Sequence, residues 1–116
     1  MPTKDSYFKY IKDRLSQIED IAFRKMMGEY LIYYKGKYIA AICDDRLLIK
    51  PFDGVENHIS KIRYERPYDG AKDMLTVDAD CDTEYYRKLF DAAFQKLPAA
   101  KTKAGIKGDN INDTGI

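Results

Sequence analysis

The chain has 116 residues, 45% of them apolar and 34% charged, with 20 Lys plus Arg against 19 Asp plus Glu. That length suits one domain that can bury a core without metal or disulfide, and the composition is globular rather than disordered. A net charge of +1 argues against a strongly electrostatic nucleic-acid binder, with a local basic patch as the remaining route to one. The opening residues "MPTKDSYFKYIKDR" contain no long apolar run, and no stretch reaches the roughly 18 apolar residues of a membrane span. The expectation is a cytoplasmic protein with no membrane segment, in which Cys43 and Cys81 are reduced thiols.

Phe8, Ile11, Leu15 and Ile18 recur at spacings of three and four, which predicts an amphipathic helix over about Ser6 to Ile18. Thr3, Asp5 and Ser6 are its alternative N-caps. From Ile21 the texture turns β-branched and aromatic. A first strand is expected over Ile21 to Met27, interrupted at Gly28 by a bulge or sharp bend. Tyr30 to Tyr34 follows as a second strand, Lys35-Gly36-Lys37 as a turn, and Tyr38 to Cys43 as a third strand. Asp44-Asp45 turns the chain into a fourth strand, Arg46 to Lys50, which Pro51 ends. A short helix is expected over Gly54 to Lys61, a fifth strand over Asp73 to Asp78, and a last helix over Thr83 to Lys96 capped by Asp82. Pro98 stops that helix, and residues 101–116 read as a disordered, Gly-containing basic tail after a single domain over residues 1–100.

The order α-β-β-β-β-α-β-α describes an α+β two-layer sandwich with helices on one face of an antiparallel sheet of about five strands. Along the second strand Tyr30, Ile32 and Tyr34 point one way, and Leu31 and Tyr33 the other. Along the third, strict alternation sets Tyr38, Ala40 and Ile42 against Ile39, Ala41 and Cys43. Neither face alternates cleanly with charge, as a half-wet sheet would. The face away from the helices is therefore expected either to meet a second copy or partner, or to stay half exposed with wet tyrosine hydroxyls. The candidate contact surface is Tyr30, Tyr33, Tyr34 and Tyr38.

Chemistry-bearing patterns are sparse. His58 stands alone, and with Cys43 and Cys81 it has no metal-ligand spacing. Cys43 precedes two aspartates, which disfavour a thiolate. Asp78, Asp80 and Asp82 alternate as in a calcium loop, but the sixth and twelfth positions hold Thr83 and Leu89. No phosphate-binding glycine loop, zinc helix motif or nucleophile elbow occurs, so neither an enzyme nor a cofactor is expected, and a small-molecule-binding domain with a pocket between helices and sheet is the remaining alternative of that kind. For nucleic acid the candidates are Arg24, Lys25, Lys35 and Lys37, with Lys101, Lys103 and Lys107 in the tail.

The stretch "RKMMGEYLIYYKGKYIAAICDDRLLIK" resembles the N-terminal domain of the TfoX (Sxy) family of bacterial competence regulators. The residues that carry the likeness are Arg24, Lys25, Met26, Gly28, Tyr30, Tyr33, Gly36, Lys37, Asp44, Asp45, Leu47 and Lys50. A second matching segment, "PYDGAKDMLTVD", contributes Gly70, Ala71, Lys72 and Met74, and "LPAAKTK" resembles the family's close. Met27 stands where the family usually has Phe, Glu29 replaces a second Gly, and Asp69 stands where Pro is common. The resemblance covers about residues 5 to 103 and looks like the stand-alone version of the domain. It implies a secretion-chaperone-like α+β sandwich and regulation of competence genes together with a transcription activator, which with the apolar second face leads to an expected role by protein–protein contact in transcription or competence-type regulation, a homodimer being one form of that contact. It carries over no catalytic, metal or cofactor-binding residue.

Overall fold

In the computed structural model, which describes residues 3–67 and 70–98, three tight turns organise the first half of the chain. Helix α1 spans Asp5–Leu15, and strands β1 (Ile21–Met26), β2 (Glu29–Tyr34), β3 (Lys37–Cys43) and β4 (Arg46–Ile49) follow. Each neighbouring strand pair is joined by a two-residue loop in which both residues are left-handed: Met27-Gly28 (φ 53° and 84°), Lys35-Gly36 (51° and 81°) and Asp44-Asp45 (52° and 56°). Positive φ at both central residues is the geometry whose twist matches that of the flanking strands. Gly28 is therefore not a bulge within a strand but half of a complete hairpin turn, since Met26 pairs with Glu29 across it. The Lys-Gly-Lys turn is likewise two residues, with Lys37 already in β3.

After β4 come a single 3-10 turn at Val55–Asn57, the short β5 (Tyr64–Glu65), β6 (Met74–Val77) and α2 (Thr83–Lys96). The sheet is wholly antiparallel and has six strands in the order β1-β2-β3-β4-β6-β5, one more than expected. The added strand is β5, two residues in a segment with no apolar run. The middle helix shrinks to one turn. Val55 and Ile59 are buried but Ile62 is exposed, and a β-branched segment this short cannot offset the cost of helix nucleation.

Both helices and the 3-10 turn cover one face, as the α+β sandwich requires. Ile11 and Leu15 of α1, Tyr86, Leu89, Phe90 and Ala93 of α2, and Val55 pack on Tyr30, Ile32, Tyr34, Ile42, Leu47 and Ile49 of the sheet. Helix α1 ends at Leu15, yet Ile18 is buried beyond it. None of the three expected residues caps α1: Lys4 is its N-cap without a side-chain bond, and Thr3 instead donates its hydroxyl to Glu29 Oε1 (2.9 Å). Asp82 does cap α2, accepting the Tyr85 N–H at 2.8 Å. Leu97 turns extended (ψ 146°) just before Pro98, as the proline ring demands. The expected tail lies outside the described residues, and no helix among them is long and apolar enough to cross a membrane.

Replacing Asp82 with Ala removes one acceptor from the first turn of α2. Urea unfolding should show a loss of about 1 kcal/mol, with the midpoint shifted and the slope unchanged.

Candidate functional site

The second sheet face is built by a displacement in β3. Ile32 pairs with Ala40 but Tyr33 pairs with Tyr38, so Ile39 is an extra residue and a β-bulge. Strict alternation fails there. Tyr38 joins Ala41 and Cys43 on the second face, while Ala40 and Ile42 face the helices. The four tyrosines of the expected contact surface do not share one face: regular alternation along β2 separates Tyr33 from Tyr30 and Tyr34, and the bulge puts Tyr38 with Tyr33. Tyr30 (7% exposed) and Tyr34 (4%) are buried beneath the helices, with Tyr30 stacked on Phe8 at 3.6 Å. Tyr33 and Tyr38 lie on the second face with ring centroids 5.7 Å apart.

The second face has its own small core: Ala41, Cys43, Leu48 and Met74, flanked by Leu31 and Tyr38. Beside it runs a cavity of about 360 Å³ lined by Met26, Met27, Glu29, Leu31, Tyr38, Cys43 and Pro67. Its wall is mainly apolar, and Glu29 is the one charged side chain on it among the described residues. Met27, at its lip, is 94% exposed, and Met26 is 41% exposed. The sequence marks Met26 as a family-motif position and Met27 as a departure from that motif, but not as parts of a groove, although an apolar residue directly before the glycine of a turn is a visible signal for Met27. Burial pushes the Cys43 thiol up to about 11, and the Glu29 carboxylate pushes the same way. Cys43 is thus a packed thiol, unbonded to Cys81.

Most family-motif residues have a role inside the fold. Lys37 donates to the carbonyls of Phe94 (2.6 Å) and Leu97 (2.8 Å), closing the C-terminal end of α2, and lies 4.3 Å from the Phe94 ring centre. Asp45 accepts the Lys4 N–H at 2.9 Å and so ties the start of α1 to the β3–β4 turn. Glu29 accepts from Thr3 and from the Asp44 N–H (3.1 Å). Glu29 therefore clamps the start of the chain and the β3–β4 turn to the β1–β2 turn. Lys50 lies 4.3 Å over the Tyr38 ring, and burial followed by repulsion from Lys72 lowers its pKa. Leu47 and Met74 are core residues, one on each face, and Gly70 is left-handed at φ 86° beside half-buried Ala71.

The basic candidates do not converge. Arg24 and Lys25 pair with Leu31 and Tyr30 near one end of β2, whereas Lys35 lies in the turn at its other end and Lys37 directly after it. Lys35 lies over the Tyr34 and Phe94 rings, and Lys37 is held by α2. Lys101, Lys103 and Lys107 lie outside the described residues. A second cleft of about 490 Å³ is lined by His58, Ser60, Lys61, Arg63, Thr76, Asp78, Cys81 and Tyr85. His58 offers its backbone carbonyl to the Tyr85 hydroxyl at 2.6 Å. Among the described residues no three His, Cys, Asp or Glu side chains gather where they could hold a metal ion.

Burial, helped by a hydrogen bond to the Asp91 carboxylate, pushes the Tyr34 hydroxyl up to about 12 from 10.0. Burial also raises Tyr86. A pKa raised on folding stabilises fully below the unfolded value and is lost as pH rises through the folded one. Stability should therefore fall as pH climbs from 10.0 to about 12, and Tyr34→Phe should make that fall shallower without abolishing it, as followed by denaturant unfolding across that range.

The family model for the TfoX N-terminal domain matches residues 13–100 of the chain. A curated relative from Spirochaeta aurantia, named as an uncharacterized 12.7 kDa protein in the trpE 5′ region, is 29% identical over 104 residues, covering 89% of this chain and 90% of that protein. No solved structure matches.

Proposed function

The chain belongs to the TfoX N-terminal domain family, and from that premise we propose that it acts by protein–protein contact in transcription-related regulation, docking a partner on the groove of the second sheet face. The observation that carries this reading is Met27. It occupies a left-handed position at φ 53°, where Asn, Asp or Gly is favoured, and its side chain is 94% exposed. The turn requires the left-handed backbone, but nothing inside the fold selects an exposed thioether, with almost no packing in return, for that position. A partner does, because flexible methionines at the rim of an apolar groove adapt to the surface that fills it. Tyr33 and Tyr38 support the reading as neighbouring aromatic anchors with polar tips.

The separation of Arg24 and Lys25 from Lys35 and Lys37 weighs against a single nucleic-acid track along the sheet. Steeply salt-dependent retention on DNA at low salt would restore that reading.

Met27→Asn separates folding from contact. The variant should gain up to about 1 kcal/mol in urea unfolding, because Asn-Gly suits the turn better. It should also lose the partner that the immobilised wild-type protein retains from a lysate of its source cell. Equal retention by both proteins would remove the groove from the role.

A further inference from the structure

Strand β1 is an open sheet edge. It pairs only with β2, along all six residues and without a register shift. The opposite edge, β5, has two residues. In an antiparallel ladder, residues alternate between those bonded to the neighbour and those whose N–H and C=O point away. Met26 and Glu29 flank a two-residue turn and so form a bonded pair. The Lys35 N–H donates to Asp20 C=O at 2.9 Å, which keeps the same alternation at the far end. The N–H and C=O groups of Ile21, Phe23 and Lys25 therefore point outward, and none has a hydrogen-bond partner among the described residues. The edge carries no proline and no bulge, two of the devices that protect long edges.

Its charges are polarised. Glu19 and Asp20 stand exposed immediately before the strand, and Arg24 and Lys25 stand exposed at its other end. None of the four makes an ion pair within the chain among the described residues. We infer that β1 is a self-association edge: two copies of the chain pair antiparallel through β1, joining their sheets. The outward groups fit a register centred on Phe23, with Phe23 opposite its own copy and Ile21 across from Lys25 of the second copy. Pairing then keeps every side chain on its own sheet face. It also sets the acidic start of each strand against the basic end of the other. Glu19 and Asp20 stand in the turn just before β1, with Asp20 left-handed at φ 64°, and so lie at the end of the ladder that Arg24 and Lys25 of the second copy approach. Arg24 lies diagonal to its own copy, a repulsion that the neighbouring acids offset. A strand with both signs arranged in this polarity is complementary to itself, which is why a second copy is the occupant rather than an arbitrary extended peptide.

The test is sedimentation velocity of the full chain through the micromolar range. The wild type should dimerise. Lys25→Pro removes an outward N–H while leaving the bonds to β2 intact, and it should weaken self-association at least about tenfold. Glu19→Lys with Asp20→Asn, and separately Arg24→Glu with Lys25→Glu, should each yield a monomer, and an equimolar mixture of the two should form a heterodimer. Circular dichroism checks that each variant is folded, and heterodimer formation itself requires both to be folded. A monomeric wild type overturns the inference. So does a dimer indifferent to Lys25→Pro and to both charge reversals but lost in Met27→Asn, which would place self-association on the second face instead. Met27→Asn leaves β1 untouched, so failure of the groove reading and failure of the edge reading give different results.

Discussion

Three consecutive two-residue turns, each with both residues left-handed, are the constraint on which this structure depends. A turn of that kind leaves no freedom in register: Met26 must meet Glu29, Tyr34 must meet Lys37, and Cys43 must meet Arg46. Once these are fixed, period-two alternation, broken only at the Ile39 bulge among the described strands, decides which residues meet the helices. Lys35-Gly36 and Met27-Gly28 place glycine at the second position, and the third turn uses two aspartates, whose short polar side chains tolerate positive φ. The turns also receive the rest of the chain. Thr3 and Lys4 attach to Glu29 and Asp45, so the start of α1 is hydrogen-bonded to residues at two hairpin ends.

What could be read in advance follows from this. The two aspartates and the Lys-Gly pair announce turns, and Asp82 announces a helix start, because in each case a local backbone need selects the residue type. The TfoX-type fold was legible for the same reason. The bulge at Ile39 was not, since nothing in "KYIAAIC" distinguishes an inserted residue from an alternating one. That single residue moved Tyr38 to the face of Tyr33, whereas alternation along β2 alone separates Tyr33 from Tyr30 and Tyr34. Tyr30 and Tyr34 went with Ile32 into the core, where Tyr34 keeps its hydroxyl on Asp91, while Tyr38 moved to the second face. Strand β5 was missed because its two residues are recruited by β6 and by the Arg46–Glu65 ion pair, neither of which is local in sequence.

The motif by which the family is identified is largely structural. Lys37 closes α2, Asp45 holds the start of α1, Leu47 fills the core, and Lys50 caps the Tyr38 ring. Each has a partner within the chain, so each is accounted for without invoking a ligand. The residues left over are few. Met26, Met27 and Arg24 make little use of the fold they sit on, Lys25 reaches only the Tyr30 ring at 6.0 Å, and they cluster around β1 and its turn. Function is best sought among residues whose placement costs stability or returns none.

The groove and the edge also bear on each other. A pair of chains joined through β1 has its two-fold axis perpendicular to the sheet, so the second faces of both copies look in the same direction. In a register centred on Phe23, Met26 of each copy lies across from Asp20 of the other, which sets the two groove lips six residues apart along the strands, roughly 20 Å at strand rise. The turns that carry Met27 then stand at opposite ends of the joined strands. Two weak docking sites on one rigid platform bind a two-fold symmetric or repeated partner far more tightly than either site alone, provided that the partner matches their spacing. A small domain with one shallow apolar groove gains little affinity from that groove by itself. Pairing through an edge that is otherwise left open gives the groove a second copy at a fixed distance, and needs no residue beyond those already exposed on β1.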